Sequence, residues 1–331
     1  MKSIKKWNIV VIAVLLIMTV GLFLVMAGGG AEKIVLKLAH NGPSNHPFQL
    51  ACMKFQEILE KEAPGQFDVQ IFPSEQLGTE QNCAELVKTG SIAGSVSSCL
   101  QFVPEADIFN FPFLFKDVNH LYRVEDGAPG ERIIKMIEDK VNCVVLGYFF
   151  GGVRNEYNKV RPVLVPDDLK GLKIRTLGSP IFLDTFNALG AQATTMSWGE
   201  VYTALQQGVI DGGECDMIDL LVEKFYEVAK YVSLTGHIYY SVPFIFSKTI
   251  FDKLTDNQKD LIIRAGKEAV SYERGVMEQQ ETDARNKLET EHGVKIFDVD
   301  VSIFREATKS VYAKYADNVG GLEYINEIIN Y

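Results

Sequence analysis

A chain of 331 residues is long for one small core, and 47% apolar with 23% charged residues is the composition of a globular protein, not a disordered one. Its formal net charge of −10, unbroken by any Lys/Arg cluster, argues against nucleic-acid partners. An anionic ligand would therefore need specific, buried cations to hold it.

In chain order, Lys2, Lys5 and Lys6 precede an almost wholly apolar run over residues 9 to 26, then Val25-Met26-Ala27 and a glycine tract. That pattern predicts a secretory signal peptide over residues 1–31, with an uncleaved anchor as the alternative, and an exported remainder. Residues 34 to 40 alternate as a strand, followed by a loop from Asn41 and a helix of about 15 residues. Residues 67 to 72 form a second strand pattern, then comes a helix ending at Gly90 and a small, apolar stretch over 91 to 99 expected to be a buried strand. The aromatic, proline-broken segment 109 to 115 suits a core or hinge. One helix is expected over 117 to 139 and a buried strand over 141 to 150.

The second half repeats the theme. Leu172 to Thr176 is a strand pattern, Ser179 to Leu189 a helix and Ala191 to Met196 a strand. Ser197 and Glu200 have the spacing of a capping box opening the next helix. Asp211-Gly-Gly-Glu214 follows, and residues 242 to 247 return as a strand. From Thr255 to about Glu291 the pattern stays helical, a rod near 50 Å at 1.5 Å per residue, long enough to brace two lobes. Strands alternating with helices predict an α/β protein with largely parallel sheets.

Five cysteines (Cys52, Cys83, Cys99, Cys143, Cys215) lie far apart without a C-x-x-C pair and are expected mainly as buried thiols. No H-E-x-x-H, P-loop, G-x-S-x-G or strand-linked G-x-G-x-x-G is present, so neither metal nor cofactor is expected. A thiol triad of Cys215, His237 and an aspartate has no nucleophile signature around Cys215; an exported α/β hydrolase is the enzyme alternative. In Gly171-Leu-Lys-Ile-Arg-Thr176, alternation puts Leu172 and Ile174 on one face and Lys173 and Arg175 on the other. By pattern alone Arg175 faces water.

The block LKGLKIRTLGSPIFLDTFNALGAQATTMSWGEVYTALQQGVIDGGE, residues 169 to 214, resembles the diagnostic region of the solute-binding proteins of tripartite ATP-independent periplasmic (TRAP) transporters, the DctP-like family. LAHNGPSNHPF, VQIFPSEQLGTE, RNEYNKVRPVLVPDDLKGLK, KFYEVAKYVSLTGH and LTDNQKDLIIRAG extend the likeness across the chain in order. The resemblance implies a two-lobed clamp, with lobe 1 from residues 32–151 plus about 240–279 and lobe 2 from 152–239 plus about 280–331. It implies no enzymatic step: a small organic acid is captured in the periplasm, or at the outer face of the membrane, and handed to permease subunits. An exported module feeding a sensor would use the same clamp. By the same resemblance Arg175 forms a two-pronged bridge to the ligand carboxylate, which suits a guanidinium fork better than an ammonium. Arg154 matches a second arginine, with an inter-lobe salt bridge as its structural alternative, and Trp198 an aromatic packed on the ligand, with core packing as its alternative. His40, Ser98, His237, Glu214 and Asn158 match further contact positions. Cys215 stands where many relatives carry a ligand-binding asparagine, which puts that contact in doubt because a thiol is a poor hydrogen-bonding group.

Overall fold

The computed structural model describes residues 33–331. The leader expected over residues 1–31 lies outside them.

In chain order the elements are β1 (Ile34–Ala39), α1 (Pro47–Glu62), β2 (Phe67–Phe72), α2 (Glu80–Thr89), β3 (Gly94–Val96), α3 (Val118–Glu125), α4 (Ala128–Val141) and β4 (Cys143–Asn158). Then come β5 (Lys173–Thr176), α5 (Pro180–Ala188), β6 (Gln192–Thr195), α6 (Val201–Gln207), β7 (Gly212–Cys215), α7 (Met217–Val222) and β8 (Tyr231–Ser247). The chain closes with α8 (Lys248–Phe251), α9 (Asp256–Thr290), β9 (Lys295–Asp298), α10 (Val301–Ala307), α11 (Lys309–Tyr315) and α12 (Leu322–Asn330). This is the α/β architecture the alternating pattern predicts.

The strands run in the order β2-β1-β3-β8-β4-β7-β5-β6, with β9 beside β8. Two long antiparallel strands unite the halves. Residues 143–150 of β4 pair with 241–247 of β8 beside the parallel pairs β1/β2 and β1/β3. Residues 153–158 of β4 pair with 231–239 of β8, next to β7, β5 and β6. The register slips between Phe150 and Val153, where Gly152 takes φ +81°. A side chain there meets Asp216, since a Cβ on Gly152 would lie 2.3 Å from that residue's Cβ. The glycine pair thus carries one strand through both halves. The strand expected to stop at residue 150 runs on to Asn158.

The main core spans both halves, from Ile133 and Phe150 to Leu205 and Cys215, and each half adds a smaller cluster. Phe55, Phe149 and Phe244 pack at ring distances of 5.6 and 5.1 Å in the first. Ile174, Leu172, Phe186 and Phe304 are buried together in the second. The long helix α9 has 35 residues and starts on a capping box between Thr255 and Gln258, so the local signal at Thr255 sets its start.

Three expectations are corrected. The sheet is mixed and not largely parallel, because β8 runs antiparallel to β3 and β4, and β4 to β7. The single helix over 117–139 is two, α3 and α4, because Asp126-Gly127 ends the first and Pro129, lacking an N–H, opens the second. The C-terminal stretch divides: Phe304 of α10 packs in the second core and Tyr315 OH of α11 donates to Asp184 of α5, but α12 leaves the second half. On α12, Ile328 O is 2.9 Å from His120 Nε2, Tyr324 OH donates to Pro129 O and Glu327 pairs with Arg132, so the helix docks on α3 and α4.

Candidate functional site

The carboxyl ends of β1, β3, β5, β6 and β7 point into the space between the two halves, where open α/β sheets gather their ligand loops. A cavity of about 510 Å³ lies there, walled by both halves. Arg175, Arg154, Trp198 and Ser98 line it, together with Asn41, His46, Glu75, Glu80, Asp107, Asp219 and Tyr240.

Arg175 is the penultimate residue of β5 and is only 2% exposed. Its strand neighbour Ile174 is fixed in the second core, so alternation drives Arg175 to the opposite face, toward the cavity. Nε and Nη2 both donate to Met196 O, at 3.1 and 2.8 Å, and the guanidinium lies 5.3 Å from the Trp198 ring centre. The indole is oriented in turn by its Nε1 donating to Glu223 at 2.9 Å. Nη1 is buried without a partner. Burial draws the pKa of Arg175 down, and the nearby charge of Glu214 opposes it. No carboxylate among the described residues forms a salt bridge with it.

Arg154 is in the reverse situation. Nε meets Glu214 Oε2 at 2.7 Å, Nη2 donates to Glu214 O at 2.7 Å, and Nη1 lies 3.4 Å from Asp219 Oδ2. Its charge is therefore matched within its own lobe, by β7 and α7, and not across the cleft. Asp219 also reaches His46 of the opposite lobe, at 3.4 Å from Nε2. Burial pulls His46 down to about 4, so near pH 7 its imidazole is neutral and this contact is not an ion pair. The tautomer agrees: Nδ1 accepts from Phe48 N at 3.1 Å, leaving the proton on Nε2.

The remaining polar wall is acidic. Glu80 accepts from Asn41 Nδ2 at 2.8 Å and from Ser98 N at 2.9 Å. Glu75 accepts from Gly199 N at 3.2 Å, and Asp107 from Ser179 Oγ at 2.7 and 2.8 Å. Burial raises the pKa of all three.

Five residues singled out in the sequence do not line the cavity. Glu214 is buried behind Arg154. His237 contacts Thr235 Oγ1 at 2.8 Å and packs edge-on against Phe186. His40 contacts Gln49 at 2.9 Å. Asn158 bridges Glu156 and the amides of Val160 and Arg161. Cys215 is 2% exposed in the main core, its thiol held protonated by burial. Conversely, His46, Glu75, Glu80, Asp107 and Asp219 escaped sequence reading. Glu80 sits in QLGTE and His46 in SNHPF, inside stretches that carried the resemblance, but nothing local distinguishes them from solvated loop residues.

Two lobes joined by strands that cross between them, around a polar cavity with a buried arginine, define a ligand-binding clamp. The profile of the bacterial extracellular solute-binding protein family 7 matches residues 38–318, and the chain belongs to that family, the periplasmic binding proteins of TRAP transporters. The 2,3-diketo-L-gulonate-binding periplasmic protein YiaO of Escherichia coli K12 is 32% identical over 262 residues, 78% of this chain and 79% of its own. A TRAP periplasmic solute-binding protein of Polaromonas sp. JS666, bound to D-erythronate, superposes with a TM-score of 0.86 at 32% identity, covering 90% of this chain and 98% of that one. Another, from Sulfurospirillum deleyianum with bound succinate, has a TM-score of 0.85 at 28% identity and covers 90% and 99%. The chain is a solute-binding protein of this transport class.

Proposed function

We propose that the ligand is a polyhydroxylated monocarboxylate, held with its carboxylate on Arg175 and passed to membrane permease subunits. The observation that carries this reading is the unpartnered Nη1 of Arg175 beside the cavity. A buried guanidinium with free donors and no acid partner is suited to an incoming carboxylate.

The acidic wall selects what the rest of the ligand carries. A second carboxylate would face Glu75 and Glu80, whereas hydroxyl groups would donate to them. One charged hydrogen bond contributes about 1.5–3 kcal/mol and micromolar binding requires about 8, so these further bonds and the Trp198 face are needed. In this reading Arg154 orients Asp219, and the Ser98 amide fixes Glu80. His40, His237, Glu214, Asn158 and Cys215 support the wall from behind. The lobes pivot at Gly151-Gly152 and the facing 239–241 of β8. The protein is exported by its leader and releases the acid chemically unchanged.

A thermal-shift screen of the purified protein tests this, because a ligand specific to the folded state raises the melting temperature. D-Gluconate and D-erythronate are expected to raise it, and succinate at the same concentration to raise it less. A succinate shift equal to or larger than theirs would overturn the monocarboxylate reading. Recovery of a chemically altered acid would overturn the absence of catalysis.

A further inference from the structure

Asp107 and Ser179 face each other across the cleft, at the cavity wall. Asp107 belongs to the 3-10 turn Pro104–Asn110, whose Phe109 packs edge-on against Tyr148 of the first half of β4. Ser179 follows β5 in the second lobe and caps α5.

Each partner is set within its own lobe. Ser179 Oγ accepts from the amides of Ile181 and Phe182 at 3.1 and 3.3 Å. Its acceptor capacity is thereby engaged, and its single proton points outward to the Asp107 carboxylate, whose oxygens lie 2.7 and 2.8 Å away. From the other side, Asn110 Nδ2 holds Asp107 Oδ1 at 2.8 Å. Donor and acceptor are thus aimed before the lobes meet, and joining them costs little rotamer freedom. Both residues are buried, at 6% and 1% exposure, so the bond forms where water does not compete. Among the described residues other contacts also join the halves: Glu75 to Gly199 N at 3.2 Å and His46 to Asp219 at 3.4 Å are longer, whereas Tyr312 OH donates to Pro112 O and Phe113 N to His237 O, each at 2.7 Å, outside the cavity lining.

We propose that Asp107 and Ser179 form a clasp that holds the lobes together over the bound acid and so sets its release rate. Their groups face one another, so they govern closure and not recognition; they are positioning residues. The inference rests on the reading of the chain as a clamp for a carboxylate.

The test compares Asp107→Ala, Ser179→Ala, the double variant and Ser179→Thr. Association and dissociation of D-gluconate are followed by fluorescence of Trp198, the one tryptophan after Trp7 in the sequence. The radius of gyration of the ligand-free protein is measured by small-angle X-ray scattering. Each alanine variant is expected to speed dissociation about tenfold, as loss of a hydrogen bond to a charged group implies, with association changed less than about twofold. The double variant is expected to dissociate no faster than the faster single one, because the same bond is already gone. Ser179→Thr, which keeps both cap and hydroxyl, is expected to stay near the parent rate. Ser179→Ala also removes a helix cap, but that loss is shared with the double variant and cancels in the comparison. Dissociation rates that multiply, or an unchanged rate in Asp107→Ala, would exclude the clasp. If the parent protein fails to bind D-gluconate, the ligand reading fails and the scattering decides the clasp. Asp107→Ala must then give a larger radius than the parent, and an equal radius overturns the proposal.

Discussion

Removing the guanidinium of Arg154 would leave the carboxylates of Glu214 and Asp219 in a buried site without their cation. Breaking a buried pair from one side typically destabilises by about 3–5 kcal/mol. Arg154→Met is therefore expected to lower the midpoint of urea unfolding in the ligand-free protein. Arg175 has no acid partner, and its burial already disfavours the charge. Arg175→Met should leave that midpoint unchanged or raise it, while abolishing the thermal shift given by D-gluconate. Arg175→Lys keeps the charge but loses the planar fork, so a weakened shift is expected. If both methionine variants unfold alike without ligand, the electrostatic contrast between the two arginines is wrong. This contrast was not legible in the sequence. Alternation placed Arg175 on the polar face of its strand, but the partners of Arg154 arrive from 60 and 65 residues away, across a strand pairing no local pattern encodes.

At the scale of elements, the passage of β4 between the lobes depends on a glycine. With φ at +81° and Asp216 2.3 Å from where a Cβ would be, Gly152→Ala combines backbone strain with a clash against the start of α7. A loss of about 1–3 kcal/mol is expected in urea unfolding, with weaker D-gluconate binding, because Asp216 and Asp219 are displaced together. Gly275 provides the control: it lies inside α9 with nothing within 4 Å, so Gly275→Ala should stabilise by about 0.5–1 kcal/mol. Equal effects of the two substitutions would exclude a special role for residue 152. Gly151-Gly152 also shows why some boundaries were legible and others not. Caps such as Thr255 and Ser197 announce themselves through contacts three residues apart. A glycine pair reads locally as a turn, and only the pairing with β8 on both sides makes it the middle of a strand.

Across the whole molecule, the buried ionisable groups form two sets with opposite pH behaviour. Burial pulls His40 and His46 down to about 4 and His237 to about 3, so the unfolded chain, with histidines near 6.5, binds more protons between those values. Stability from this set rises with pH up to about 6.5 and is constant above it. The acids run the other way. Burial pushes Glu156, Asp216 and Glu281 up to about 8, and Glu125 and Glu223 to about 7. Below their raised values the folded state holds protons that the unfolded chain has already lost, so this contribution is lost as pH rises toward 8. Between about pH 4.5 and 6.5 the two sets compete; between about 6.5 and 8 only the acids act. The melting temperature of the ligand-free protein is therefore expected to fall over that upper interval. Each group still titrating there contributes a slope of up to about 1.4 kcal/mol per pH unit. Glu156 isolates one of them: its Oε1 accepts from Asn158 Nδ2 at 2.9 Å, and its Oε2 is buried without a partner. Glu156→Gln preserves the shape and the accepting oxygen but cannot ionise, so it should flatten the decline. A melting temperature that rises from pH 6.5 to 8, or a slope unchanged in Glu156→Gln, would show that these acids are ionised in the folded protein and that water reaches them.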